Sequence, residues 1–227
     1  MTKGKLIVIE AGDGSGKATQ AGKLYDRLCG EGYRVRKIDY PNYQSDSAAL
    51  IKMYLRGDFG TDPGAVNPYA ASAFYAVDRL ASFMTDWQEF YNSGGVIIAD
   101  RYTTSNMIHQ AAKVDSPGER NIYLDWLWDF EFVKCGLPVP DCVIFLDMPP
   151  DASAQLMQDR PNKAGMAEKD IHERNTAYLE SCYRISLEVA RRYNWSKVAC
   201  CQNGNLRSIE DIHQQIYQTI AHLLHRH

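Results

Sequence analysis

A glycine-rich loop that ends in a lysine is the part of the sequence with the clearest chemistry. The run Gly12-Asp13-Gly14-Ser15-Gly16-Lys17 follows a short apolar segment and precedes a helix-forming stretch. Glycines let backbone N–H groups turn toward an anion, a helix N-terminus adds partial positive charge, and the lysine reaches the outer phosphates of a nucleotide. A glycine-rich turn without a ligand would leave Lys17 and Asp13 unexplained. The spacing therefore predicts a nucleotide-phosphate site over Ala11–Thr19.

This loop departs from the usual G-x-x-x-x-G-K-[ST] pattern at two positions. Ala11 stands where the first glycine belongs, and Ala18 replaces the hydroxyl residue that follows the lysine. The strand-like run before the loop and the helix-forming Gln20–Leu28 after it still provide the expected context.

An acid and an arginine, Asp100-Arg101, follow the apolar run Val96–Ala99 directly. If that run is a strand, both side chains lie at its carboxyl end, near the phosphate loop. Asp100 would hold Mg²⁺ or its waters, and the planar guanidinium of Arg101 would grip a second phosphate. A surface ion pair is the alternative interpretation.

Tyr75, Asp78 and Arg79 are spaced i, i+3 and i+4, which places them on one face of a helix. An aromatic ring and an arginine on one face suit a nucleobase, which stacks on the ring and accepts hydrogen bonds at its carbonyls. The pattern is equally compatible with an alternative, in which Tyr75 is a core residue and the Arg79 side chain extends along it.

Short apolar runs alternate with longer amphipathic stretches through the whole chain. This alternation predicts an α/β fold in three layers, with a central parallel sheet of five strands covered by helices on both faces and ligands at the carboxyl ends of the strands. The predicted strands are Leu6–Glu10, Tyr33–Asp39, Val96–Ala99, Cys142–Leu146 and Lys197–Cys200. The predicted helices lie near 18–30, 46–56, 68–92, 103–113, 119–134, 150–160, 168–193 and 207–225.

A polar, basic segment, Arg160–Glu168, separates two of these helices. Its charges suit phosphate, so we predict a helical lid at about 150–170 in which Arg160 and Lys163 face a bound phosphate. Arg160 would bond that phosphate, or stack on the base of the nucleotide and leave the phosphate to Lys163. A plain surface loop is the alternative.

The bulk composition narrows the class of protein. The 227 residues fit one domain, 1–227, and 45% hydrophobic residues are enough for a core. A net charge of −3 gives no reason to expect nucleic-acid binding. The sequence has no signal peptide or membrane-length apolar run, so we expect a cytoplasmic protein whose six scattered cysteines are free thiols.

Taken together, these motifs resemble the thymidylate kinase family of P-loop nucleoside-monophosphate kinases along essentially the whole chain. The family's loop reads G-x-D-x-x-G-K with Thr-Gln soon after, and the aspartate inside it, here Asp13, is its most specific mark. Phe74-Tyr75-Ala76-Val77-Asp78-Arg79 is similar to the family's aromatic-x-x-Asp-Arg segment, and Asp100-Arg101-Tyr102-Thr103-Thr104-Ser105-Asn106 is similar to its D-R-Y-x-x-S segment.

The resemblance implies a P-loop NTPase fold, ATP as donor, dTMP as acceptor, Mg²⁺ as cofactor and a homodimer. It implies that Tyr75 stacks on thymine, Arg79 bonds its carbonyl, Arg101 grips the monophosphate, and Ser105 or Asn106 reads the base edge. The remaining implied contacts are Tyr43 near the acceptor phosphate, Asp13 at the sugar or a metal-bound water, and Asp170 and Glu173 near the sugar and metal.

Three departures from the family pattern bear on selectivity and metal binding. Asn42 and Tyr43 stand where an arginine is frequent, so the grip on the acceptor phosphate is expected to be redistributed. His109 stands where a tyrosine usually crowds a ribose 2′-hydroxyl; a neutral core histidine is the alternative. Because Ala18 lacks a hydroxyl, either waters fixed by Asp100 complete the Mg²⁺ shell or Thr19 assists, although Thr19 is expected rather to bond a donor phosphate.

We therefore expect transfer of the γ-phosphoryl group of ATP to dTMP, with Asp13, Lys17, Arg101, Arg160 and Lys163 in the catalytic set. Two alternatives stay open: a P-loop kinase for another deoxynucleoside or deoxynucleotide, and a non-catalytic nucleotide-binding protein. Cations placed around a second phosphate argue against the latter. The apolar helix with Phe83, Met84, Trp87 and Phe90 fits a dimer interface or an ordinary core.

Overall fold

The structure is a computed structural model that describes residues 3–158, 170–172 and 174–224. Its central feature is a five-stranded sheet in the order β2-β3-β1-β4-β5, and all four strand pairs are parallel. The strands are β1 (Lys5–Glu10), β2 (Val35–Asp39), β3 (Val96–Asp100), β4 (Cys142–Asp147) and β5 (Ser196–Ala199). This confirms the predicted five-stranded parallel sheet. A short antiparallel hairpin, β6 (Cys201–Gln202) and β7 (Asn205–Leu206), was not predicted.

Helices cover both faces of the sheet. They are α1 (Lys17–Gly30), α2 (Ala49–Arg56), α3 (Pro68–Ser82), α4 (Gln88–Asn92), α5 (Thr103–His109), α6 (Pro117–Trp128), α7 (Pro150–Gln158), α8 (Thr176–Arg192) and α9 (Ile209–Ile220). Turns of π-helix extend α3 and α6, over Phe83–Trp87 and Asp129–Lys134. Among the described residues, none of the helices is both long enough and apolar enough to cross a membrane.

Alternate residues of the central strands enter two separate cores, which explains why these strands read as continuous apolar runs. On β1, Leu6 and Val8 pack with α4, α5, α6 and α8 on one face, whereas Ile7 and Ile9 pack with α1 and α9 on the other. All four side chains have no exposed surface. The sheet is therefore held rigidly from both sides, and its carboxyl edge forms a fixed platform.

Several predicted elements have different bounds in the structure, and local hydrogen bonds explain two of these differences. The helix expected near 168–193 begins at Thr176, because the Asn175 side chain accepts a hydrogen bond from the Tyr178 N–H and caps the helix there. The strand expected from Tyr33 begins at Val35, because Tyr33 N–H still bonds the Leu28 carbonyl at the end of α1. All six cysteines lie in the described part of the chain and are free thiols.

Candidate active site

The glycine-rich loop lies between the end of β1 at Glu10 and the start of α1 at Lys17. Gly14 and Gly16 have φ values of 71° and 81°, in the left-handed region that favours glycine. The Ser15 hydroxyl donates to the Gly12 carbonyl at 2.7 Å and holds the turn closed. The first N–H groups of α1 consequently face the loop, which is the arrangement that binds phosphate.

Ala11 replaces the motif's first glycine without disturbing this loop. Its side chain is 1% exposed and packs with Ile9 and Ala21 in the core under the loop. Its backbone is outside the left-handed region, so the position does not require glycine. The departure from the motif is thus explained by packing.

Lys17 is 8% exposed, and its ammonium bonds the Gly12 carbonyl at 2.7 Å. Burial, followed by the charge of Arg101, lowers the pKa of Lys17 from 10.5 to about 8, against the opposing effect of Asp13, Glu10 and Asp100. The ammonium is therefore partly desolvated before any ligand arrives.

Arg101 lies at the centre of the site's charges. It follows β3, whose last residue, Asp100, is in register with Ile9 of β1, so both loops leave the same edge of the sheet. Its φ of 69° is unusual for a residue with a side chain and is typical of positions held for function. One Nη of Arg101 bonds Asp13, and the other lies 3.3 Å from Ser105 Oγ and 3.3 Å from His109 Nε2.

Asp13 lies between the two cations. Its Oδ1 accepts the bond from Arg101 and is 3.9 Å from the Lys17 ammonium. Burial favours the neutral acid, but the charges of Arg101 and Lys17 outweigh it and hold the pKa of Asp13 well below its usual range. The carboxylate is ionised throughout the physiological range, and the cations of Lys17 and Arg101 both lie within 3.9 Å of one of its oxygens.

A cluster of aromatic and imidazole side chains adjoins Arg101. His109 and His172 stack with their ring centroids 5.9 Å apart and an interplanar angle of 6°. Burial lowers the pKa of His172 to about 3 and that of His109 well below 6.5, so both rings are neutral. Because arginine only donates, His109 Nε2 must accept, which places the ring proton on Nδ1, 3.5 Å from Cys182 Sγ.

Tyr75 lies next to this cluster and packs with Tyr43 against a small core around Tyr54. Burial, followed by the neighbouring Tyr54, Tyr43 and Asp170, raises the pKa of Tyr75 well above its usual value. Asp170 accepts a 2.8 Å bond from the His172 N–H. The structure therefore brings Tyr43, Tyr75, His109 and Asp170 together beside Arg101.

Comparisons with known proteins agree with this geometry. A sequence model of the family described as thymidylate kinase matches residues 9–216. The chain belongs to the thymidylate kinase family. It is 28% identical to human thymidylate kinase, over 94% of this chain and 88% of that protein, and 28% identical to the enzyme of Mycobacterium tuberculosis, over 82% and 85%. The solved structure of the Candida albicans thymidylate kinase shares the fold, with a TM-score of 0.69 and 23% identity over 97% of this chain and 92% of that one.

The family's aromatic-x-x-Asp-Arg segment occupies α3, where Asp78 and Arg79 are each 1% exposed. Asp78 accepts bonds from the Asn42 N–H at 2.8 Å and the Ser47 hydroxyl at 2.6 Å, which fixes the loop before α2. Arg79 forms a two-bond ion pair with Glu131, at 2.5 and 2.6 Å, and its remaining nitrogen lies 3.5 Å from the Tyr102 carbonyl. Any base contact by Arg79 would come from that nitrogen or from the second N–H of Nη2.

The D-R-Y-x-x-S segment occupies the end of β3 and the start of α5. Ser105 donates to Glu10 at 2.7 Å, whereas Asn106 is 2% exposed and its amide lies 3.4 Å from the Ser72 carbonyl. Ala18 and Thr19 lie in the first turn of α1, with exposed side chains. Arg160, Lys163 and Glu173, the remaining predicted site residues, lie outside the described residues.

The donor set near the loop suits a magnesium ion that is held mainly by phosphate and water. Asp100 is half-buried, and its carboxylate makes no hydrogen bond or ion pair to the described residues, although its charge reaches Lys17 and Arg101. In the described part of the chain, no three His, Cys, Asp or Glu side chains are grouped closely enough to enclose a metal ion. Mg²⁺ commonly takes one or two carboxylates together with substrate phosphates and keeps several waters, and a single free carboxylate fits that need.

Sequence reasoning missed three charged or titratable residues of this site: Glu10, Glu131 and His172. Glu10 and Glu131 are fully buried carboxylates, each beside an arginine. Their partners come from segments far away in the chain, so no local pattern identifies them. The one sequence signal for Glu10 was its position at the end of an apolar strand, just before the loop.

Proposed function

We propose that this chain transfers the γ-phosphoryl group of ATP to dTMP, giving dTDP. One observation carries the proposal beyond family membership: Lys17 of the phosphate loop and Arg101 of the neighbouring strand end flank the same oxygen of Asp13. Two cations so close to each other suit the binding of a donor phosphate and an acceptor phosphate that are aligned for transfer. Phosphoryl transfer requires mainly such positioning and charge neutralisation.

In this proposal the donor and acceptor take opposite sides of Asp13. The loop Ala11–Thr19 and Lys17 hold the phosphates of ATP, and Arg101 with Tyr43 holds the phosphate of dTMP. Mg²⁺, when bound with the nucleotide, neutralises the oxygens of the transferred group, and Asp100 would hold it through water with Asp13 nearby.

The nucleoside of dTMP is proposed to lie against the cluster of aromatic and imidazole side chains beside Arg101. Tyr75 would stack on the base, with Arg79, Asn106 or Ser105 at its edge, and His109, Asp170 and Glu173 near the sugar. The neutral imidazole of His109 supports an uncharged contact with the sugar, since its proton points away toward Cys182.

A coupled ADP-release assay against a panel of nucleoside monophosphates and deoxynucleosides tests the proposal. We expect the highest kcat/KM with dTMP. Preference for another acceptor would establish a P-loop kinase of different specificity, and tight ATP binding without turnover on any acceptor would establish a non-catalytic nucleotide-binding protein.

The pKa of Lys17 predicts a pH dependence of ATP use. Only the ammonium form holds phosphates, and in the free enzyme this form is lost as pH rises through about 8. Because kcat/KM reports ionisations of the free enzyme, kcat/KM for ATP should fall above pH 8 and be level from pH 6.5 to 7.5. ATP binding at pH 8.5 should take up protons, measurable by calorimetry in buffers of different ionisation enthalpy. Proton release or no exchange would contradict the assignment.

A lid at about 150–170, within one kinase domain spanning 1–227, is proposed to supply the cation that stabilises the transferred phosphoryl group. The loop has Gly14 and Ser15 at its tip and no arginine there, so the charge must come from elsewhere. Alanine variants of Arg160 and Lys163 should lower kcat far more than they raise KM, the signature of a transition-state contact. Adenine stacking by Arg160 would instead raise KM for ATP with kcat nearly unchanged, and unchanged kcat in both variants would contradict the proposal.

A homodimer is proposed through the exposed apolar residues of α3 and its π-helical extension. Of the helix residues considered from sequence, Phe83 and Trp87 belong to the core, whereas Met84 is 63% exposed, and Val77 on α3 is 54% exposed. Light scattering of the wild type and of Met84→Glu tests this face. The proposed location is the cytoplasm, where the six free thiols would stay reduced.

A further inference from the structure

Glu10, the last residue of β1, is a fully buried carboxylate beside the phosphate loop. A charge without solvent is costly unless its oxygens are satisfied. Oε1 accepts the Ala11 N–H at 2.9 Å, and Oε2 accepts the hydroxyls of Thr104 and Ser105, both at 2.7 Å. These bonds tie the end of β1 to the first turn of α5.

The two hydroxyls differ in what they contact beyond Glu10. Ser105 Oγ lies 3.3 Å from Nη1 of Arg101, whereas Thr104 makes no hydrogen bond to that guanidinium. A serine hydroxyl has one proton, and an ionised carboxylate can only accept, so the proton of Ser105 points to Glu10. The lone pairs of Ser105 are thereby left to accept from Arg101. Glu10 thus determines the direction of the hydrogen bond between Arg101 and Ser105, in which Arg101 donates and Ser105 accepts.

Glu10 also acts on Arg101 directly, since its Oε1 is 3.6 Å from Nη1. The side chain of Arg101 is 17% exposed, and Arg101 itself has a left-handed backbone conformation. The regular geometry of the strand therefore does not fix the direction of this side chain. Its other carboxylate partner, Asp13, belongs to the loop that must adapt to the donor phosphates. Glu10 belongs to the central strand and is the fixed partner.

We propose that Glu10 is a positioning residue for the acceptor phosphate: it holds Arg101 in the orientation that binds this phosphate, directly and through Ser105. This inference rests on the proposed function, in which Arg101 binds the phosphate of dTMP. Glu10 itself touches neither substrate. Its removal should therefore affect a ligand that carries the acceptor phosphate and leave ligands without that phosphate nearly unaffected.

The chain offers a matched pair of variants for the test. Ser105→Ala and Thr104→Val each delete one hydroxyl that donates to Glu10 Oε2, but only Ser105 links Glu10 to Arg101. Glu10→Gln removes the charge and keeps the shape. For each protein we would measure the affinities of dTMP, thymidine and ATP by calorimetry, together with kcat, KM and thermal stability.

Glu10→Gln should weaken dTMP binding about tenfold or more, in line with a lost hydrogen bond to a charged group, and Ser105→Ala should weaken it in the same direction. Thr104→Val should stay within about twofold of the wild type for dTMP, since a partner of Glu10 alone is lost. ATP affinity should change little in all three variants. Thymidine affinity should change little in Glu10→Gln and Thr104→Val; in Ser105→Ala, whose hydroxyl is also placed at the base edge, it should fall less than dTMP affinity.

Equal losses of thymidine and dTMP affinity in Glu10→Gln would overturn the inference. So would equal losses of dTMP affinity in Ser105→Ala and Thr104→Val. Either result would show that Glu10 only stabilises the local structure. If Glu10→Gln does not fold, the two hydroxyl variants decide: a loss of dTMP affinity in Ser105→Ala that exceeds its loss of thymidine affinity supports the inference, and equal losses for the two ligands overturn it. Failure of the proposed function is recognised separately, because it appears in the wild type as absent turnover of dTMP.

Discussion

Replacement of Lys17 by alanine is expected to lower the rate of phosphoryl transfer by about a hundredfold or more, the usual effect of deleting one preorganised charge donor. The ammonium is already buried at the start of α1 and directed into the loop, where it bonds the Gly12 carbonyl. Nucleotide phosphates would take the place of that carbonyl as its partner. No other lysine among the described residues is placed at the loop to substitute for it.

The fold of this variant should be intact, because Lys17 belongs to neither apolar core and its loss removes an unfavourable desolvation. Lys23→Ala is the matched control: it lies on the same helix, is more exposed and pairs with Glu210. Circular dichroism and dTMP binding should be unchanged in both variants, and kcat should fall only in Lys17→Ala. Near-native turnover in a folded Lys17→Ala protein would contradict the assignment of the phosphate loop.

The sheet and the phosphate loop could be predicted because local patterns encode them. Ile7, Val8 and Ile9 make a strand buried on both faces, and Gly14 and Gly16 supply the left-handed turns that the loop requires. The positions of the strand ends then follow from parallel pairing, so the pattern alone places Asp100 beside the loop, in agreement with its register with Ile9.

The polar contacts inside the site could not be predicted, because they join distant segments. Glu10 meets Thr104 and Ser105 across 94 and 95 residues, and Arg79 meets Glu131 across 52. In a sequence, an acid at a strand end is as compatible with solvent as with burial. Its environment is set only when α5 and α6 pack on the sheet.

Loss of Arg79 is expected to destabilise the fold by about 3–5 kcal/mol, because it leaves the Glu131 carboxylate buried without its cation. Glu131 has no exposed surface, and Thr103 would be its one remaining side-chain partner among the described residues. Glu131→Gln should also destabilise the fold, since it leaves the Arg79 guanidinium buried without a charged partner. In the double variant Arg79→Met with Glu131→Gln, neither charge remains and the new side-chain amide carbonyl still accepts from Thr103. Chemical denaturation of all four proteins should therefore give a coupling of about 1–3 kcal/mol.

The double variant also separates the two interpretations of Arg79, since its fold is largely restored. If the guanidinium bonds the thymine carbonyl, KM for dTMP should stay raised, about tenfold from a lost bond of 1–3 kcal/mol, with KM for ATP unchanged. If Arg79 only holds α3 against the π-helical end of α6, dTMP affinity should return together with stability. Single variants that lose less than about 1 kcal/mol would contradict the buried pair itself. Stability and KM thus report on different N–H groups of one side chain: Nε–H and one N–H of Nη2 bond Glu131, and the N–H groups of Nη1 and the second N–H of Nη2 are left to contact a ligand.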